Sequence, residues 1–424
     1  MTSPHDLVTR GLRLIDPETA HHAALWGLRA RLGPHARADR WPRLKTTLAG
    51  LDLPNPVGMA AGFDKNCEVP DALLQSGFGF VECGTVTPLA QEGNPKPRIF
   101  RLSEDRAVIN RLGFNNKGLD AFADRLAARA GKSGIVGANV GANKDSSDRP
   151  ADYVLGMGRV WQHASYVTAN ISSPNTPGLR GLQERGALED LLGRMREARV
   201  ALEAAHGRRP LFLKVAPDLD DVAVRDIAEL VIANELDALI VSNTTLQRPP
   251  HLTSDNRDET GGLSGQPLFQ ISTLALRLFA QALEGRLPLI GVGGVANGMT
   301  ALAKIKAGAS AVQLYSALVY GGLSVVSEIT RGLDGLLIEA GGEPDPLEQR
   351  DDPRGRRGRG DPELRAGAEH RHHAQRDRLA VEQPRDVPHL RGGEPAGLES
   401  LAQLRREGAS AQAFTFATHH LETA

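Results

Sequence analysis

The chain has 424 residues, with 50 lysine and arginine side chains against 51 aspartate and glutamate, for a formal charge of −1. That balance excludes an electrostatic nucleic-acid coat as its main role, and no nucleic-acid partner is expected. Cys67 and Cys83 are the only cysteines, too few for a disulfide scaffold or a four-cysteine metal centre. No apolar run approaches the roughly 20 residues that cross a bilayer, and the N-terminus lacks a signal-type apolar segment, so the cytosolic side is expected.

Composition divides the chain into three parts. In residues 1–40, Leu7, Val8, Leu12 and Ile15, then Leu25, Leu28 and Leu32, recur at roughly helical spacing, predicting two short helices. Between them Asp16 is a candidate N-cap with Pro17 at the first helical position. Residues 41–340 hold nearly all the strand-like segments. Residues 341–424 hold thirteen arginines but no lysine or isoleucine, and Gly, Pro, Glu and Arg dominate them. Such a tail buries too little apolar surface to offset its chain entropy, so disorder is expected there. Its six histidines, His370, His372 and His373 among them, form no recurrent ligand set with Cys or carboxylates, and no metal is expected.

Eight short apolar segments stand out in the middle region: 55–62, 79–87, 134–141, 166–175, 211–218, 238–245, 287–294 and 311–317. Amphipathic stretches such as 188–205 and 273–285 lie between them. Near-continuous apolar strands separated by helices imply a parallel sheet buried on both faces. Eight such units over about 260 residues predict an α/β fold of the TIM-barrel kind, a closed (β/α)8 barrel rather than an open sheet.

The segments share one habit: each runs apolar, then ends in glycine, amide or hydroxyl residues. Examples are Gly62, Thr85, Asn139, Asn170, Lys214, Ser242 with Asn243 and Thr244, and Gly293 with Gly294. In a barrel these ends converge on the face that carries the chemistry. Turn preference alone explains any single asparagine, but not the repetition. Gly291, Gly293 and Gly294 on the seventh segment and Tyr315-Ser316 on the eighth suggest a phosphate cradle. Lys65 and Lys214 stand at strand ends, where an ammonium suits a Schiff base, a phosphate or a reduced anionic flavin.

All of these residues but Asn139 lie in ordered blocks: AAGFDKN (60–66), ECGTVTP (82–88), GNPKPRIFRL (93–102), NRLGFNNKG (110–118), NISSPNTPGLRGLQ (170–183), KVAPDL (214–219), SNTTL (242–246), GGLSGQPL (261–268), IGVGG (290–294) and VQLYSAL (312–318). In them the chain resembles the dihydroorotate dehydrogenases, specifically the quinone-reducing class 2 enzymes, over about residues 5–335.

The resemblance implies FMN at the barrel mouth. Its contacts would be Ala61, Gly62, Phe63, Asp64, Lys65 and Thr85, then Asn139, Asn170, Lys214 and Ser242. The phosphate would rest on Gly265, Gly294, Tyr315 and Ser316, in agreement with the cradle read from the glycines. The family often has Thr where Ser242 stands, and both offer a hydroxyl. Dihydroorotate, a flat dihydropyrimidine carboxylate, would meet Lys65, Asn110, Asn170, Asn175, Asn243 and Thr244, together with the segment Arg111, Leu112, Gly113 and Phe114.

Ser173 matches the class 2 base, where class 1 relatives use Cys. A free serine is a weak base, so it needs a relay through a threonine or water, with Thr176 as a candidate. The resemblance also makes residues 1–40 a cap on the cytoplasmic face of the cell membrane. That cap would admit ubiquinone or a related quinone, with Arg10, Arg13, Arg29 and Arg31 facing anionic lipid. Two other readings compete: a soluble class 1-like enzyme using fumarate or NAD, and a cofactor-free phosphate-sugar isomerase or lyase on the same barrel.

Overall fold

The computed structural model describes residues 4–340. The tail expected to be disordered, 341–424, lies outside the described residues. In chain order the strands are β1 (Thr46–Leu48), β2 (Leu51–Leu53), β3 (Val57–Met59), β4 (Phe80–Val86), β5 (Ile99–Leu102), β6 (Ala107–Asn110), β7 (Ile135–Val140), β8 (Tyr166–Asn170), β9 (Leu211–Val215), β10 (Ala238–Val241), β11 (Gly262–Gly265), β12 (Leu289–Val292) and β13 (Ala309–Leu314).

Eight of them, β3, β4, β7, β8, β9, β10, β12 and β13, close into a barrel. Every neighbouring pair around it is parallel. Each of the eight lies inside one of the apolar segments singled out above, apart from the first two residues of β13, and each is followed by a helix. The strands are apolar on both faces because one side packs on the helices and the other fills the barrel. Helix positions follow from the same logic. In Leu268–Leu283 the buried Leu268, Ser272, Ala275, Leu276, Phe279 and Leu283 recur every three or four residues.

The barrel interior is layered. Phe80, Tyr166 and Phe212 sit at the strand starts and pack with Leu48 and Leu53, so the hairpin β1–β2 closes the N-terminal end. The Tyr166 and Phe212 rings stack at 4.5 Å. Glycines on neighbouring strands leave room for this aromatic layer. A Cβ on Gly58 would lie 2.3 Å from the Phe80 ring, and one on Gly137 would lie 2.1 Å from the Tyr166 ring.

Two features of the architecture were not expected from the sequence. The hairpin β1–β2 is one. The other is an antiparallel sheet ordered β11-β6-β5, made from the excursions after β4 and β10, which brings Asn110 and Gly265 to the barrel mouth. Both consist of three- or four-residue strands, too short to show a periodicity of their own.

At the N-terminus, α1 (Pro4–Leu12) and α2 (Pro17–Arg29) form the expected pair. Asp16 caps α2, its side chain accepting from the Thr19 amide at 2.8 Å, with Pro17 in the first turn. Such a cap contributes about 1 kcal/mol. The stronger tether is Glu18, a buried carboxylate that accepts from Arg98 Nη2 at 2.6 Å and Nε at 3.2 Å. Burial works to raise the Glu18 carboxyl, but the Arg98 hydrogen bonds and charge, aided by Lys96, outweigh it and hold it below the usual range.

Glu18→Ala leaves the Arg98 guanidinium buried without its partner, a loss of about 3–5 kcal/mol for a pair of this kind. The expected result is a lowered melting temperature and faster proteolysis around residues 30–45 as α2 lifts. Because the folded pKa is depressed, the pair's contribution is complete above the ordinary glutamate value and disappears as pH falls below it. Hydrogen exchange in α2 that is unchanged by the substitution would contradict this assignment.

Candidate functional site

The C-terminal strand ends open into one cavity of about 740 Å³, which continues from the barrel mouth to the underside of α1 and α2. Lys65, Asn110, Asn170, Ser173, Asn175, Lys214, Asn243 and Thr244 line its inner part. Leu12, Ala20, His21, Ala24 and Leu28 line the outer part.

Below the mouth lies a hub that sequence reasoning did not single out. Glu82, on β4, is fully buried inside the barrel and accepts four hydrogen bonds. They come from Asn139 Nδ2 at 2.7 Å, Tyr166 OH at 3.1 Å, Thr168 Oγ1 at 3.2 Å and Gln313 Nε2 at 3.1 Å. Its only sequence signal is a carboxylate in an otherwise apolar strand.

The network climbs from there. Thr85 Oγ1 donates to Asn139 Oδ1 at 2.6 Å and accepts from Asn170 Nδ2 at 2.8 Å. The β4–β7 ladder slips between Gly84 and Val86, and this irregularity releases Thr85 from the register. Ser172 Oγ donates to Asn170 Oδ1 at 2.6 Å and accepts from Asn243 Nδ2 at 2.9 Å. Each amide at the mouth is therefore held in one orientation by the next, which is how a hydrogen-bonding site is preorganised.

Two lysines share the inner part of the cavity. Lys65 follows β3, and Lys214 lies on β9 beside Asn170. Neither ammonium has a hydrogen-bond or ion-pair partner among the described residues. Burial lowers both pKa values. For Lys65, the nearby Arg98 charge adds to burial and takes it to about 8. For Lys214, Glu82 opposes the shift without abolishing it. Two unmatched ammonium groups around one cavity call for an anionic occupant.

The remaining expected residues divide clearly. Ala61, Gly62, Phe63, Thr85, Ser242, Gly265, Gly294, Tyr315 and Ser316 line the cavity, as do Leu112, Gly113 and Phe114. Gly265 (φ +95°) and Gly294 (φ +75°) form turns that only glycine fits. A Cβ would meet Arg106 O at 2.4 Å in the first and Phe269 Cβ at 2.4 Å in the second.

Three expected side chains do not line it. Asp64 turns inward and accepts from the Glu68 and Val69 amides at 2.8 Å each, which fixes the turn that carries Lys65. Asn139 lies beneath Thr85 and reaches the cavity only through it. Arg111 pairs with Glu259 at 2.7 Å and lies 4.4 Å over the Phe100 ring.

Ser173 is buried at the cavity wall, its Oγ accepting from the Asn175 amide at 3.3 Å. The expected relay residue, Thr176, makes no hydrogen bond to it, and among the described residues Thr176 Oγ1 is buried with no partner, as is Thr244 Oγ1. In the outer part, His21 packs edge-on against Phe63 at 5.2 Å, and its pKa falls to about 3 through burial and the Lys65 charge. His21 is therefore neutral near pH 7, which suits an apolar passage. Its place in a plain helical repeat had given no hint of this position.

Comparison with known proteins gives a consistent picture. Residues 43–337 match the family model described as dihydroorotate dehydrogenase. A Mesorhizobium japonicum protein named dihydroorotate dehydrogenase (quinone) is 56% identical over 318 residues, covering 75% of this chain and 88% of its own. A Brucella anthropi protein of the same name is 56% identical over 333 residues, covering 78% and 91%. Among solved structures, the Eimeria tenella DHODH in complex with ferulenol aligns with a TM-score of 0.74 at 41% identity, covering 77% of this chain and 93% of that one.

Proposed function

The chain belongs to the dihydroorotate dehydrogenase family, and from that premise we propose how this molecule works: bound FMN, Ser173 as base, and a quinone that enters beneath α1 and α2. The reaction is oxidation of dihydroorotate to orotate in pyrimidine synthesis, with a quinone as acceptor. One observation carries the detailed reading. A single cavity holds two unmatched ammonium groups, Ser173 and the oriented amides at its closed end, and its other end opens along the apolar sides of α1 and α2.

The residues fit FMN. The glycine turns at Gly265 and Gly294, with Tyr315 and Ser316, would hold its phosphate. Lys214 would lie against its ring system, where a fixed cation favours the negative charge gathered on reduction. Ala61, Gly62, Phe63, Thr85, Asn170 and Ser242 would complete the wall, with Asn139 supporting Thr85 from below. When bound, FMN supplies the two-electron acceptor for the hydride from substrate C6 and passes both electrons on to the quinone.

The protein's own task is to hold dihydroorotate and take the C5 proton. Lys65 would neutralise the carboxylate. Asn110, Asn170, Asn175 and Asn243 offer paired donors and acceptors to the ring amides, and the unpaired Thr244 hydroxyl offers one more. A ligand without the matching groups would leave these amides buried and unpaired, which is the basis of selectivity. Ser173 Oγ would accept the C5 proton and release its own, with the unpartnered Thr176 hydroxyl three residues on, through water, as the exit.

Several exposed apolar side chains cluster on residues 7–32: Leu7, Val8, Leu14, Ile15, Trp26 and Leu32. No described helix is long and apolar enough to cross a membrane. These side chains support residues 1–40 as a segment lying on the lipid surface at the cytoplasmic face. Of the four arginines expected to face lipid, Arg29 pairs with Glu68 and Arg13 lies over the Tyr320 ring, which leaves Arg10 and Arg31 for the headgroups.

The soluble class 1-like reading is disfavoured by serine rather than cysteine at 173 and by the cap over the cavity. A phosphate-sugar isomerase would use the same phosphate cradle but would be colourless.

The deciding experiment adds dihydroorotate anaerobically to the yellow purified protein, follows flavin bleaching, and then adds quinone to restore the colour. Ser173→Ala should keep the flavin but slow bleaching by about 10²- to 10⁴-fold near neutral pH, the usual range for a lost general base. Bleaching at the unaltered rate would mean that the base lies elsewhere.

Lys65 sets a pH limit. Its cation is present below about 8 and lost above it, so kcat/KM for dihydroorotate should fall as pH rises through that value. The fall in kcat should come at higher pH, because the substrate carboxylate raises the lysine's pKa in the complex. A kcat/KM profile that stays level through pH 9 would exclude Lys65 as the carboxylate partner. For the membrane segment, the double variant Leu14→Ser, Trp26→Ser should weaken binding to anionic vesicles at least about tenfold, as measured by sedimentation.

A further inference from the structure

Behind the phosphate cradle lies a third buried lysine, which the mechanism above does not use. Lys304, on the helix Gly298–Lys306, has no exposed surface. Its Nζ donates to Ser272 Oγ at 2.6 Å and to the Val292 carbonyl at 3.3 Å, and it lies 5.3 Å over the Phe269 ring. No carboxylate lies within 4.0 Å of it among the described residues. Strands β12 and β13, packed on either side, carry no charged side chain. The charged groups on the other elements packed around it are Arg277, its own helix's Lys306, and Glu328, Arg331, Asp334 and Glu339 on the helix Val325–Glu339. Of these, only Arg277 perturbs it, and it repels; Asp334 is engaged by Arg43. Burial, with that repulsion, takes the Lys304 pKa down to about 7.

What the ammonium touches gives its direction of action. Val292 and Gly293 line the cavity with one side of their backbone, and their carbonyls meet Lys304 and Ser272 on the other. Ser272 lies so close that a Cβ on Gly293 would stand 2.6 Å from its Oγ, and Phe269 fills the space under Gly294 in the same way. The cradle turn therefore rests directly on the Ser272–Lys304–Phe269 cluster. A buried cation without an anion is costly, and a leucine or methionine would fill the same space at no electrostatic cost.

Resting on the FMN reading above, we propose that Lys304 is the counter-charge of the FMN phosphate, acting from behind the Val292–Gly294 backbone without touching the ligand. It is a positioning residue. The arriving dianion draws a proton onto Lys304, and the resulting cation in turn holds the cofactor.

The test dilutes the holoenzyme at pH 7 and pH 9 and follows the fluorescence of released FMN, for the wild type, Lys304→Met and Lys304→Arg. Wild-type affinity should weaken about tenfold between the two pH values as the bound lysine loses its proton. Lys304→Met should be about tenfold weaker or more already at pH 7, with a smaller pH effect. Lys304→Arg, charged throughout, should weaken at pH 9 only by the part of the slope that Lys65 and Lys214 contribute. Lys65 and Lys214 remain in every variant, so any slope they contribute is common to all three.

Melting of the FMN-stripped full chain provides the structural control: Lys304→Met should be no less stable than the wild type, whereas a purely structural lysine would lose stability. Lys304→Met holding FMN as tightly as the wild type at pH 7 would overturn the proposal. So would a wild-type slope preserved in Lys304→Arg, which also serves as the test if the methionine variant does not fold. A wild-type protein that holds no FMN would overturn the FMN reading itself, and this proposal with it.

Discussion

Positive charge without matching negative charge is the constraint around which this molecule is organised. Lys65, Lys214 and Lys304 are placed around one barrel mouth, each shifted toward neutrality by burial, and none with a carboxylate within 4.0 Å among the described residues. A folded chain keeps such groups only where something else completes them. In the function proposed above, these positions would divide an anionic occupant into parts: a carboxylate near Lys65, a ring system near Lys214, and a phosphate before the turn that Lys304 supports.

The neutral part of the site is equally ordered, through connection rather than charge. Glu82 gathers Asn139, Tyr166, Thr168 and Gln313 inside the barrel, and the chain of amides above it reaches Asn170, Ser172 and Asn243. The aromatic floor of Phe80, Tyr166 and Phe212 sits directly below, and Tyr166 belongs to both layers through its hydroxyl. Stability at the bottom of the barrel and orientation at its top are thus joined through one carboxylate. The cap adds a different environment. Glu18 and Arg98 pin α2 over the mouth, and the passage beneath it is mostly apolar, with a neutral His21.

Much of this was legible in the residues. The eight apolar segments, the polar residues that end them, the glycine turns at the mouth and the two strand-end lysines all carry local signals, because a strand buried on both faces must be apolar throughout and a tight turn must be glycine. The cap on α2 was legible for the same reason, since Asp16 and Pro17 act within one turn. The hairpin β1–β2 and the sheet β11-β6-β5 were not, because pairing between three- or four-residue strands is a property of partners distant in the chain.

Among the site residues, chain position alone could not separate those facing the cavity from those supporting it. Asp64 and Lys65 are neighbours, yet one caps a turn and the other lines the cavity. Asn139 and Asn170 end adjacent strands, and only the second reaches the mouth. Glu82, His21 and Lys304 passed as ordinary members of a strand and two helices. The sequence by itself determined the class of fold, the face on which the polar strand ends gather and the family of the chain, since these rest on periodicity and on short ordered blocks. Which charges go unmatched, and toward which part of the cavity each one acts, was decided only by the closed barrel, because electrostatic pairing depends on distances between residues that the chain itself keeps far apart.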